Sequence, residues 1–158
     1  MSEESESAAK ELALLLEERA ILRLLHRYAH AMDYGDESAW VDVFTPDGVF
    51  DVIEVVGGHR VHRESGRAAF SAFISTYHKP PFYQKHMMVD PIIQIDGTSA
   101  RVEAYFMLLQ RDEADGQPLL VAFGRYFDRL VKQEGRWRIA ERRAEVESST
   151  LKSRGITD

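Results

Sequence analysis

The chain has 158 residues, 44% of them hydrophobic and 10% aromatic, which is enough for one globular core. Its net charge of −6, with no Lys- and Arg-rich face, argues against nucleic-acid binding, and no apolar run is long enough to span a membrane. It holds no cysteine, which excludes disulfides and thiolate chemistry and suits a reducing compartment. We therefore predict a single cytoplasmic domain that has no nucleic-acid or membrane partner.

The first predicted element is a long amphipathic helix over residues 9–33, after an acidic tail (1–8) that we predict to be disordered. Its apolar residues recur at steps of three and four: Leu12, Leu15, Leu16, Ile21, Leu24, Leu25, Tyr28 and Met32. On a helical wheel the stripe centres on Tyr28 and its neighbours, Asp33 lies on its flank, and His26 and His30 fall on the polar side. Gly35 is the predicted helix stop.

The remaining elements are two short helices and five strands. Asp36 is the predicted N-cap of the second helix, residues 45–48 form a turn, and Ser65 caps a third helix that Pro80 and Pro81 end. The predicted strands are 49–56, 86–95, 100–111, 119–131 and 137–146, the last four separated by Gly-containing turns. The single domain spans 9–147, and 148–158 is a predicted flexible tail.

Helices followed by hairpin-connected strands are typical of an α+β fold. We expect a cone-shaped, curved, mostly antiparallel sheet, with the helices closing a pocket over its concave face. Such a pocket is suited to a small apolar molecule.

Three residues could do proton-transfer chemistry in this pocket. His86 opens a strand on which it alternates with Met88, and a histidine beside a carboxylate is a good general base. Asp33 could orient that imidazole, and the phenol of Tyr28 could point into the pocket. The residues alone also allow a structural role for each of them.

Arg142 on the last strand could face inward and bind an anionic or carbonyl oxygen of a substrate, or pair with a surface acid. The other histidines, His59, His62 and His78, are interpreted as loop or helix-end residues. The spacing of His59 and His62, with no further acids or cysteines, is weak evidence for metal, and no metal site is predicted.

Several motifs together resemble the SnoaL-like branch of the nuclear transport factor 2 superfamily. They are Tyr28-Ala-His-Ala-Met-Asp33, the Phe44 to Gly48 turn, Lys85-His86 and the closing Gly124-Arg-Tyr126-x-Asp128 and Gly135-Arg-Trp137-Arg-Ile139. The likeness covers about residues 12–147 and is strongest to the group that contains scytalone dehydratase, lindane dehydrochlorinase and bile acid 7α-dehydratase. That group implies a cone-shaped α+β barrel, an Asp-His pair and no metal or organic cofactor.

The resemblance implies that His86 is the base, Asp33 its orienting carboxylate and Tyr28 a third catalytic residue. It also implies that Arg142, Tyr126 and Leu108 contact the substrate; the family differs at the position of Leu108, where one member uses an acid. Val52 stands where a second pocket tyrosine is expected. Met88 and Phe106 complete the predicted substrate-binding residues.

The predicted function is a cofactor-independent lyase, of the dehydratase or dehydrohalogenase type, acting on a small apolar cyclic molecule. One alternative is an isomerase that uses the same proton abstraction. Another is a non-catalytic module of the same fold that binds a small molecule, which predicts that Asp33 and His86 do not touch. We also expect a homo-oligomer, a dimer or a trimer, because the exposed sheet face needs covering.

Overall fold

A six-stranded mixed sheet forms the centre of the computed structural model, which describes residues 3–34, 36–77, 83–112 and 114–150. Three helices occur within these ranges: α1 (Glu3–Tyr34), α2 (Glu37–Asp42) and α3 (Arg67–Tyr77). The strands are β1 (Phe44–Glu54), β2 (His59–Ser65), β3 (Lys85–Asp96), β4 (Ser99–Arg111), β5 (Pro118–Gln133) and β6 (Arg136–Ser149).

The strands lie in the order β2-β1-β6-β5-β4-β3, and the sheet is curved but not closed. All neighbouring strands are antiparallel except β1 and β6, which are parallel. The helices pack on one face, with α1 against β3 and β6 and α3 against β1 and β2. The predicted α+β class and the sheet covered by helices are confirmed.

The helix-covered face holds an aromatic core. Tyr28 from α1 contacts the rings of Trp40, Phe44, Phe50 and Tyr126, with centroids 6.0 to 6.5 Å apart. The predicted apolar stripe of α1 is confirmed in its second half, where the buried residues are Ile21, Leu24, Leu25, Tyr28, Ala31 and Met32. Alternate residues of the central strands point at the same core because successive side chains of a strand face opposite sides.

The first half of α1 differs from the prediction. The helix begins at Glu3 rather than at residue 9, so most of the predicted tail is helical. Leu12, Leu15 and Leu16 are exposed, since this part of the helix precedes the point at which α1 is held to the sheet. That point is Glu17, which accepts hydrogen bonds from Lys132 Nζ and Trp137 Nε1.

Strand β2 was missed by the sequence prediction, which placed His59 and His62 in a loop. Its residues pair with β1 across a turn after Glu54, with a bulge at Val61, which has no partner opposite Val52 and Ile53.

Three boundaries also differ. Gly66, not Ser65, precedes α3: its φ of +83° turns the chain out of β2, and its carbonyl accepts from Phe70 N. The predicted turn at 45–48 is a bulge within β1, and β6 continues to Ser149, two residues into the predicted flexible tail. The predicted Asp36 cap is confirmed, because its side chain accepts from Ala39 N. The predictions for Gly35, His78, Pro80 and Pro81, and for residues 151–158, lie outside the described residues.

Candidate active site

Asp33 and His86, which are 53 residues apart in sequence, meet at the C-terminal end of α1 and the start of β3. His86 Nδ1 lies 2.6 Å from Asp33 Oδ1. The backbone N–H of His86 also donates to both oxygens of the carboxylate, at 3.1 and 2.9 Å. The structure thus brings together the two residues that the sequence analysis paired.

The contact is almost closed to solvent, with side-chain exposures of 10% for His86 and 5% for Asp33. An ionised carboxylate only accepts hydrogen bonds, so the tautomer that fits this contact carries its proton on Nδ1. The lone pair of the neutral ring is then on Nε2. This is the arrangement of a histidine base held in one tautomer by an acid.

Tyr28 lies five residues before Asp33, in the buried stripe of α1, and is 1% exposed. Burial raises the pKa of its phenol. The charge of Arg142 lowers this pKa, and the charge of Asp128 raises it. Near neutral pH, Tyr28 is therefore a protonated hydrogen-bond donor.

Arg142 is fully buried and faces the same core. Its guanidinium carbon lies 4.0 Å from the ring centroid of Tyr28 and 4.2 Å from that of Tyr126. Nε and Nη2 donate to the two carboxylate oxygens of Asp128 at 2.8 and 2.6 Å. Burial would lower the pKa of Arg142, but the charge and hydrogen bonds of Asp128 outweigh it and raise the pKa. Among the described residues, Nη1 has no hydrogen-bond partner.

Apolar side chains form the wall between these polar groups. Leu108 is the cross-strand partner of His86, and Phe106 is the partner of Met88. Phe106 stacks on Tyr126 with centroids 4.6 Å apart. All the predicted site residues therefore lie on the helix-covered side of the sheet.

The sequence analysis missed two residues that belong to this face. Asp128, the partner of Arg142, received no role, although it alternates with Tyr126 on one strand and that spacing could have placed it inward. His62 was interpreted as a loop residue, but its ring packs on Phe73 at 4.5 Å, and burial lowers the pKa of its imidazole. His26 and His30 are exposed, as predicted.

No helix in the described part of the chain is both long and apolar enough to cross a membrane. Within the same ranges, no three His, Cys, Asp or Glu side chains come together as a group that could hold a metal.

The chain belongs to the SnoaL-like domain family, which it matches over residues 13–143. No curated protein matches it. Three solved structures illustrate the shared fold. A Mycobacterium tuberculosis protein of unknown function is 26% identical with a TM-score of 0.76, covering 87% of this chain and 76% of that one.

The other two structures come from Novosphingobium aromaticivorans. One is an NTF2-like protein with a cystatin-like fold: identity 20%, TM-score 0.73, coverage 88% of this chain and 87% of that one. The other is a candidate scytalone dehydratase: identity 22%, TM-score 0.72, coverage 86% and 87%. These similarities establish the NTF2-like fold of the chain.

Proposed function

We propose that this protein is a cofactor-independent lyase, of the dehydratase or dehydrohalogenase type, with His86 as its base. The observation that carries the proposal is the 2.6 Å contact between His86 Nδ1 and Asp33 Oδ1 in a nearly closed site. A buried carboxylate fixes the tautomer of the ring and stabilises the imidazolium that forms when the ring takes a proton.

In the proposed reaction, Nε2 of His86 takes a proton from a carbon next to a carbonyl or other activating group. The electron pair of that C–H bond forms a new carbon–carbon double bond, and a hydroxyl or halide departs from the neighbouring carbon. A departing hydroxyl takes the proton back from the imidazolium and leaves as water. When halide departs as the anion, the imidazolium releases its proton to solvent. Tyr28, as a protonated donor, hydrogen-bonds the substrate oxygen or the leaving hydroxyl.

The substrate that suits this site is a small cyclic molecule that is mostly apolar. Leu108, Phe106, Met88 and Tyr126 offer apolar and aromatic surface to such a ring. Arg142 contributes Nη1, which has no partner among the described residues, as a donor for a carbonyl oxygen of the substrate.

The experiment is a panel of cyclic β-hydroxy and β-halo ketones, with product masses measured by mass spectrometry. Loss of water or hydrogen halide supports a lyase, whereas a product of unchanged mass would mean an isomerase. His86→Gln should lower the rate by about 10²–10⁴, the usual contribution of a general base. His30→Gln, an exposed histidine on the same helix as Asp33, is the control and should keep the wild-type rate. A fully active His86→Gln protein would refute the mechanism.

We also propose that a second copy of the chain covers the outer face of the sheet. Met87, Met107 and Phe123 are cross-strand partners and form an exposed apolar row across β3, β4 and β5. The next row carries Arg125, which is paired with Glu145 and Glu147. An apolar row beside a row with both charges can pair with itself around a two-fold axis.

A further inference from the structure

Asp128 is a buried, charged residue that has no role in the proposed mechanism. It is 5% exposed, lies on β5 and is the cross-strand partner of Arg142 on β6. Its two oxygens accept from Nε and Nη2 of the guanidinium in a bidentate pair. Burying an ion pair that has no exposed side-chain surface costs free energy of desolvation. The pair is therefore a candidate for a role beyond stability.

The position of this pair relative to Tyr28 suggests such a role. The guanidinium carbon lies 4.0 Å from the centroid of the Tyr28 ring. A positive charge at that distance in a buried site favours the phenolate, because a nearby opposite charge stabilises the ionised form. The charge of the Asp128 carboxylate opposes that effect.

We propose that Asp128 is a positioning residue for Tyr28: it holds Arg142 in a bidentate pair and opposes the pull of the guanidinium toward the phenolate, which favours the phenol as a hydrogen-bond donor. This inference rests on the proposed function in one respect: the proposed reaction supplies the substrate oxygen that accepts the hydrogen bond from Tyr28. The arrangement itself is a property of the protein without any ligand.

The groups around Tyr28 are few enough to make the effect specific. The charged or titratable side chains that act on its phenol are Arg142, Asp128 and Tyr126. The rings that contact it from α2 and β1, those of Trp40, Phe44 and Phe50, carry no charge. The opposing charges of Arg142 and Asp128 therefore distinguish the electrostatic surroundings of Tyr28 from those of a tyrosine buried among uncharged groups.

The test is a titration of Tyr28 followed by the ¹³Cζ chemical shift in protein labelled at tyrosine, with the resonance assigned from Tyr28→Phe. In Asp128→Asn, the charge of Arg142 stands alone, and the pKa of Tyr28 should fall by about one unit or more. In the double variant Asp128→Asn/Arg142→Met, both charges are gone, and the pKa should be no lower than in the wild type. A merely structural role for Asp128 does not predict that the pKa of Tyr28 falls in the single variant and recovers in the double variant.

The double variant also covers the case in which Asp128→Asn alone fails to fold, because it leaves no unpaired charge in the core. If Asp128→Asn folds and Tyr28 titrates as in the wild type, the inference is wrong. The same is true if the double variant has a pKa for Tyr28 that is clearly lower than the wild type's. Since the titration needs no substrate, its failure would leave the His86 mechanism untouched, and an inactive enzyme would leave the titration result standing.

Discussion

One carboxylate, that of Asp33, holds His86 through both its ring and its backbone. It lies 2.6 Å from Nδ1 and also accepts from the backbone N–H of the same residue. The orientation of the imidazole is therefore fixed twice, at the ring and at the start of strand β3. The chemistry proposed for His86 depends on this double contact.

Asp33→Asn removes the charge of the carboxylate and keeps the size and shape of the side chain, so it tests the role of the charge. The amide can still contact the ring and the backbone, but it cannot stabilise an imidazolium, so kcat should fall by about 10²–10⁴ with little change in KM. Steady-state kinetics on the substrate found by the panel measures this, and ¹⁵N NMR of His86 reports its tautomer. Asp47→Asn, at an exposed aspartate, is the control. Unchanged kcat in Asp33→Asn would show that the charge of Asp33 does not stabilise the imidazolium.

Asp51 should contribute to stability in a pH-dependent way. Burial alone would raise the pKa of its carboxyl, but hydrogen bonds and charges from Arg60 and Arg63 outweigh burial and lower it. A carboxyl whose pKa is lower in the folded state stabilises the fold above its unfolded pKa of about 3.9, and this contribution is lost as the pH falls through the folded pKa.

Asp51→Asn should therefore cost about 1–2 kcal/mol near neutral pH, since both arginines are half exposed and their pairing is screened. The difference from wild type should shrink as the pH falls below about 4. Urea unfolding at several pH values measures it. A deficit that stays constant down to acidic pH would show that the charge of Asp51 is not its cause.

Gly124→Ala should destabilise the site wall. A Cβ at this position would lie 1.9 Å from the backbone oxygen of Glu145 and 3.0 Å from Cε1 of Phe106. Strands β5 and β6 would have to move apart, at a cost of about 2–4 kcal/mol. Gly58→Ala is the matched control: its Cβ meets nothing within 4 Å, so only the strain of its φ of +66° remains, about 1 kcal/mol. Thermal unfolding of both variants tests the difference, and equal losses would contradict the close approach.

Phe123→Lys should weaken self-association if a second copy covers the outer sheet face. The change places a charge at the β5 end of the apolar row, while the helix-covered core on the other face stays intact. Analytical ultracentrifugation over a range of concentrations measures the effect. Val56→Lys changes an apolar residue that is more exposed but lies in the turn after β1, and should leave the mass unchanged. A wild-type protein that stays monomeric would refute the proposal.

The sequence predicted the parts of the fold that repeat with a clear period. The stripe of α1 around Tyr28 and the strand at 100–111 were predicted correctly, and both bury one face. Strand β2 escaped because its residues are mostly polar and exposed, so an edge strand resembles a loop in sequence. The extra helical turns before residue 9 escaped because acidic, Ser-rich residues are typical of a tail as well as of a helix start.

The candidate site was predictable in its members but less so in its contacts. Helical phase put Tyr28 in the buried stripe and Asp33 on its flank, and strand alternation put His86 on one face with Met88. The family resemblance then paired Asp33 with His86. No local pattern could reveal that Arg142 donates hydrogen bonds from two of its three nitrogens to Asp128, because this contact depends on the register between β5 and β6. Register between strands is set by the whole sheet and by its bulges.

The anchoring of α1 at Glu17 restricts how the length of this chain can vary among its relatives. Glu17 is tied to the hairpin between β5 and β6, and Asp33 is tied to β3. One residue inserted between these two points would rotate everything beyond it by about 100° and turn the carboxylate away from His86. Insertions and deletions before Glu17 carry no such penalty. Relatives that keep the Asp33–His86 pair should therefore vary freely in the length of the leading helix and hardly at all in the interval that follows it.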